Sequence, residues 1–195
     1  MTQKATALIA AVLIGAASVL ASLAAAQDNP QRDGYFNVRS ATTALNDGVR
    51  ELDARLQLLL SEEANDALTS GVALTIELEL DVIRVRRFVP DALTAELRLQ
   101  YELEYRPLSQ RYIVRNLNSG EQESFATLYS ALNNLGRVQG LPIIDDALLD
   151  PESNYRMRLR ALLSIRQYPA PLRMLFFWRD QWQLESEWFE WPLER

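Results

Sequence analysis

Two stretches of the chain alternate residue by residue without a break. Leu74, Ile76, Leu78, Leu80 and Val82 take turns with Thr75, Glu77, Glu79 and Asp81, and Leu97, Leu99, Tyr101, Leu103 and Tyr105 take turns with Glu96, Arg98, Gln100, Glu102 and Glu104. A period of two places one set of side chains on each side of an extended strand, so both stretches are strands with an apolar and a charged face. That pattern is expected of antiparallel strands whose second face meets water. Tyr155, Met157, Leu159, Ala161 and Leu163 alternate with Arg156, Arg158 and Arg160 in a third strand of the same kind.

Weaker signals fill the rest. Phe36, Val38 and Ser40 start a strand that runs to Leu45, and Asn46-Asp47-Gly48 turns it into a second, with Val49, Leu52, Ala54, Leu56 and Leu58 facing inward. Ser61 followed by Glu62 and Glu63 reads as a hydroxyl-capped helix start, and Gly71 as its stop. Tyr112 and Val114 belong to a further strand that closes at Asn118-Ser119-Gly120. Ser124 is placed to cap a helix with Phe125, Leu128, Leu132 and Leu135 on one face, ending at Gly136. Leu141 to Pro151 reads as a loop with an acidic tip, and a last strand is expected from about Gln181 to Glu190. About seven strands and two short helices, with no β-α-β alternation and no internal repeat, predict a mainly β fold, α+β only at the margin. The expected architecture is an antiparallel sandwich or a strongly curved sheet.

The first 26 residues stand apart. Lys4 gives a positive start, Ala5 to Leu23 are almost wholly apolar, and Ala24-Ala25-Ala26 offers small residues for cleavage. This reads as a secretory signal, with residues 27–195 as one exported β-rich domain that is periplasmic or secreted. The alternative is an uncleaved segment anchoring the chain in the inner membrane, since the apolar run approaches the roughly 20 residues of a span. Cleavage leaves no membrane span and takes the formal charge from −6 to −7. Such an acidic chain makes nucleic acid a poor partner.

Composition closes further chemistries. The chain has no His and no Cys, and Lys4 is its only Lys. A thiol nucleophile, a disulfide, a Ser-His-Asp triad and a His/Cys zinc site are therefore excluded. With Lys4 removed, so are Schiff bases and a phosphate-binding loop lysine. The six glycines after residue 26 fall in the lead, at turns, at helix ends or in a loop, leaving none for a nucleotide loop. No catalytic residue and no cofactor is assigned.

Four groups of residues carry candidate chemistry. Glu77, Glu79 and Asp81 with Glu96, Glu102 and Glu104 have the carboxylate supply of a glycosidase, or of a charged face that resists edge pairing. Arg156, Arg158 and Arg160 form one row, suited either to an anionic glycan or lipid group or to cross-strand ion pairs with the Glu rows. Phe176, Phe177, Trp178, Trp182, Trp188, Phe189 and Trp191 crowd the C-terminal part. Trp182, Leu184, Ser186 and Trp188 are expected on one face, and Phe189 and Trp191 on the other. Such rings plug a core or form a stacking surface. Asp145, Asp146, Asp150 and Glu152 supply oxygens but lack the spacing of a calcium loop. The candidate binding surface is thus Trp182, Trp188 and Trp191 with Arg156, Arg158 and Arg160.

Several stretches together resemble a proteobacterial family of exported proteins catalogued only as a domain of unknown function. They are Phe36 to Ala41 (FNVRSA), Leu52 to Leu56 (LDARL), Ala67 to Thr75, Arg111 to Arg115 (RYIVR), Ser124 to Leu128 (SFATL) and the Trp-rich run Trp182 to Trp191. The resemblance implies an envelope location, no assigned activity, and genes often beside a sensor kinase of the nitrogen-regulation type. The functional expectation is a non-catalytic periplasmic binding or accessory domain whose partner is an envelope protein or glycan. The alternatives are a carboxylate-dependent hydrolase of envelope glycans and a structural scaffold.

Overall fold

The structure, a computed structural model, describes residues 34–164 and 184–194. Among these residues it contains nine strands, all paired antiparallel, in two sheets. The smaller sheet has the order β1-β2-β7, from β1 (Tyr35–Asn46), β2 (Val49–Leu59) and β7 (Arg137–Asp145). The larger has the order β6-β5-β4-β3-β8-β9. Its members are β3 (Leu74–Val85), β4 (Ala92–Arg106), β5 (Arg111–Asn116), β6 (Gln122–Phe125), β8 (Asn154–Ser164) and β9 (Phe189–Pro192). Helices α1 (Glu62–Thr69) and α2 (Leu128–Leu135) join strands of the two sheets. The expectation of a mainly β, antiparallel fold holds, and of its two forms the strands take the one with two sheets. No described helix is long and apolar enough to cross a membrane.

Local chemistry explains most elements. In the β1–β2 turn Asp47 and Gly48 have φ of 47° and 85°, the two positive values that a two-residue hairpin loop with the right twist requires. Ser61 Oγ accepts from the Ala64 amide and caps α1. The inward residues of the two sheets form one core, running from Phe36, Leu52 and Leu56 through Leu78, Leu80 and Leu103 to Leu159 and Leu163. Met157 lies at the middle of it, fully buried, with its sulfur accepting from the Thr43 hydroxyl of β1 at 3.2 Å.

Three expectations are corrected. Residues 122–125 form β6, with Ser124 opposite Ile113, because the hairpin at Asn118–Gly120 continues into a short ladder. The α2 cap is therefore Thr127, whose hydroxyl accepts from the Ser130 amide. Residues 141–145, expected in a loop, belong to β7. Its alternation is hidden by two register shifts, by Gly140 at φ 58° and by Pro142, all tolerated on an edge strand. Finally, β3 is not wet on one side. All of Leu74–Ile83 is buried, because β4 and β8 flank it and their long side chains lean over its charged face.

Gly136, directly after α2, has an ordinary φ of −74° but no room. A Cβ there would lie 2.4 Å from the Leu56 carbonyl oxygen, and the Leu56 amide donates to the Gly136 carbonyl at 2.7 Å. This glycine lets the end of α2 touch β2.

Tyr101 packs half-buried against the core, and that burial raises its phenol above the usual pKa of 10.0. The folded chain thus keeps a proton that the unfolded chain releases, so stability falls as pH rises through about 10. Urea unfolding between about pH 9 and pH 11 is expected to show a steeper loss for the wild type than for Tyr101→Phe; equal slopes would contradict it.

Candidate functional site

The outward face of β3 gathers three of the residue groups singled out from the sequence. Glu79 lies between Arg98 of β4 and Arg160 of β8, and Asp81 between Glu96 and Arg158. Arg158 donates through Nε and Nη2 to Asp81 Oδ2, both at 2.8 Å. Arg160 donates in the same way to Glu79 Oε2, both at 2.7 Å. Arg98 Nη1 reaches Glu79 Oε1 at 3.0 Å and Glu77 Oε1 at 3.3 Å, and Gln100 Nε2 donates to Glu77 Oε2 at 3.3 Å. Glu77, Glu79 and Asp81 are 0%, 3% and 5% exposed. The three buried carboxylates are therefore each answered by a guanidinium group, as buried charges must be, with Arg98 shared further with Glu96. A hydrogen bond to Glu96, with Glu79 and Glu77 nearby, holds the Arg98 pKa above its ordinary value despite the opposing effect of partial burial.

Trp188 roofs this row. Its ring centroid lies 4.2 Å from the guanidinium carbon of Arg158 and 4.5 Å from that of Arg160, a double cation–π stack. The ring reaches that side because the chain bulges before β9. Glu185 is bridged to Leu162 and Phe189 pairs with Leu159, so four residues advance against three. At the bulge Ser186 Oγ takes the Ala161 amide at 3.0 Å, where a regular ladder would use a carbonyl. The expected facing of the last strand is corrected accordingly: Leu184 joins Phe189 and Trp191 on the core side, while Trp188 stands opposite. Trp182, with Phe176, Phe177 and Trp178, lies outside the described residues.

Arg156 continues the arginine row along β8, opposite Ile83, and Trp191 packs on the core side away from Trp188. They line a cleft of about 660 Å³ at one end of the larger sheet, with Val85, Tyr155, Pro192 and Leu193. Arg156 pairs with Asp91 at 3.0 Å and Glu190 at 3.3 Å. The Trp191 indole donates to Thr43 Oγ1 at 2.8 Å, pinning the ring between the sheets. The same end carries exposed apolar residues that the sequence reading passed over. At the β3–β4 turn Phe88 is 92% exposed, with Val85, Val89 and Leu93 also exposed. Arg86 and Arg87 beside them make no ion pair among the described residues. An apolar pair inside a turn was the available signal, since turns are ordinarily polar.

The acidic loop residues are drawn into separate structural roles. Asp145 Oδ1 accepts from the Ala147 amide, Asp146 pairs with Arg50 at 2.6 Å, and Asp150 pairs with Arg84 at 2.5 Å. They do not converge, and no group of three or more possible metal ligands occurs among the described residues.

A family model described as a domain of unknown function, DUF4390, matches residues 34–192, a span that begins just before β1 and ends with β9. The chain belongs to DUF4390. The match takes in both sheets, the ion-pair row and all of the cleft lining but Leu193 in this DUF4390 chain. No curated protein and no solved structure matches it.

Proposed function

We propose that this DUF4390 chain is a non-catalytic binding domain of the cell envelope, exported by its N-terminal signal, that holds an envelope protein or glycan at the apolar end of the larger sheet. The accessory role beside a sensor kinase implied by the resemblance fits such a domain. The observation that carries the reading is the cleft lined by Trp191 and Val85, with the nearly fully exposed Phe88 in the turn that follows Val85. A cleft of this size suits a short peptide segment or a few sugar rings, with aromatic surface for stacking and Arg156 and Glu190 to orient a polar group. The carboxylate row supports binding over hydrolysis: its oxygens already accept from guanidinium groups in a packed sheet face, and hydrolysis would need two of them to converge on substrate.

Capture of envelope components on immobilised protein tests this. Phe88→Ser is expected to leave thermal unfolding within about 1 °C, being an exposed change, while weakening capture about tenfold. Trp191→Phe should weaken capture less, because an aromatic ring remains, although a smaller one without the indole hydrogen bond to Thr43. If both variants capture the same components as strongly as wild type, the binding end lies elsewhere.

A further inference from the structure

The outward face of the smaller sheet carries a pairing that a folded sheet ordinarily avoids. Arg55 of β2 stands directly opposite Arg137 of β7. Like charges in register across an antiparallel pair repel. Neither guanidinium makes an ion pair among the described residues. The sequence supplies acids on the same strand, but they are engaged elsewhere. Asp53 Oδ1 accepts from the Gly140 amide at 3.0 Å and so holds the β7 bulge, while Glu51 accepts from the Asn46 amide group.

Two further strands contribute polar groups around the arginine pair. Ser40 of β1 is the register partner of Arg55, and Thr42 is that of Asp53. Ser40, Thr42, Arg55, Arg137 and Gln139 share a hollow of about 280 Å³ with Asp53. The floor is the sheet itself, where Ala54 and Val138 point inward to the core.

We infer that this hollow is an oxyanion site for a phosphate-type group, with Arg55 and Arg137 as the two cationic forks and Ser40 and Thr42 as hydroxyl donors. Guanidinium groups donate pairs of parallel hydrogen bonds to phosphate oxygens, and two of them across one anion turn a mutual repulsion into a shared attraction. The Asp53 carboxylate on one side of the hollow disfavours a bulky polyanion and favours a single group. The site is on the opposite sheet from the apolar cleft and does not depend on it. The phosphate group has two sources, a free ion or an ester on a lipid or glycan, and the chemistry shown is common to both.

The test uses inorganic phosphate and sn-glycerol 3-phosphate as separate probes, against chloride at matched ionic strength. Both are expected to raise the melting temperature of the full domain saturably if the site accepts an ester; phosphate alone doing so identifies the free ion as the ligand. Arg137→Gln is expected to raise the melting temperature without phosphate, by relieving the repulsion, and to weaken phosphate binding about tenfold. Arg55→Gln should do the same, and the double variant should lose the saturable response. A wild-type response no larger than that to chloride overturns the assignment, as does an unchanged response in the double variant. Arg106→Gln, at the exposed end of β4 in the larger sheet, serves as the control and should leave the phosphate response intact.

Discussion

Replacing Arg160 by Met lowers folding stability by about 3 kcal/mol, the lower part of the range for breaking a buried ion pair. Its partner Glu79 is the reason. The Glu79 side chain is only 4% exposed, and Arg160 gives it two hydrogen bonds on Oε2. Met keeps the length and apolar stem of the side chain but leaves that oxygen desolvated with no donor from β8. The cost stays at the low end because Arg98 still reaches the other carboxylate oxygen and Arg160 itself is a quarter exposed. Glu79→Gln in the Arg160→Met background is expected to regain about 1–2 kcal/mol, since it removes the uncompensated charge. Urea unfolding of wild type, both single variants and the double variant closes the cycle. Strictly additive losses would mean that the two groups are not coupled.

Met157→Ala is the other large loss, about 3 kcal/mol within the range for truncating a fully buried large side chain. Met157 is 0% exposed and sits where β1 of the smaller sheet crosses β8 of the larger, in contact with the Thr43 hydroxyl that also accepts from Trp191. Truncation leaves a void at the junction that the two sheets cannot both close. For a domain of this size the melting temperature should drop by about 6–12 °C. Met157→Leu, which nearly conserves volume, should cost less than about 1.5 kcal/mol. A loss no greater for Ala than for Leu would show that the sheets are not packed through this residue.

The elements that were legible in the sequence are those whose cause is local. The alternation of β3, β4 and β8, the Asn46–Gly48 turn and the Ser61 cap each depend on residues a few positions apart. What could not be read is sheet membership. Glu77, Glu79 and Asp81 show the same alternation whether their face meets water or a row of guanidinium groups, and only the register of β8 decides between the two. β7 was hidden because Gly140 and Pro142, read as loop residues, sit at an edge where their irregularity is tolerated. Plain alternation set Trp188 opposite Phe189 and Trp191, but bringing Leu184 to the core side with them needed one extra residue in the ladder, which no periodicity announces. Arg55 and Arg137 were invisible as a pair for the same reason. Phe88 and Val89 are different: two apolar residues between Arg86-Arg87 and Pro90-Asp91 in a turn were there to be noticed.

The ion-pair row also bears on the order in which the chain is made. Arg160 follows Glu79 by 81 residues, so β3 emerges during synthesis long before its β8 partner exists. Until then the β3 edge that will receive β8 presents three carboxylates with no β8 guanidinium to answer them. Like charges on an unpaired edge discourage a second chain from adding there, the protection that charged edge residues give finished sheets. When β8 arrives it brings arginines at the matching register, and the same charges that kept strangers away now select the native strand and fix its alignment. The acid row thus acts first as a guard on a half-built sheet and afterwards as the ruler that sets its last long pairing.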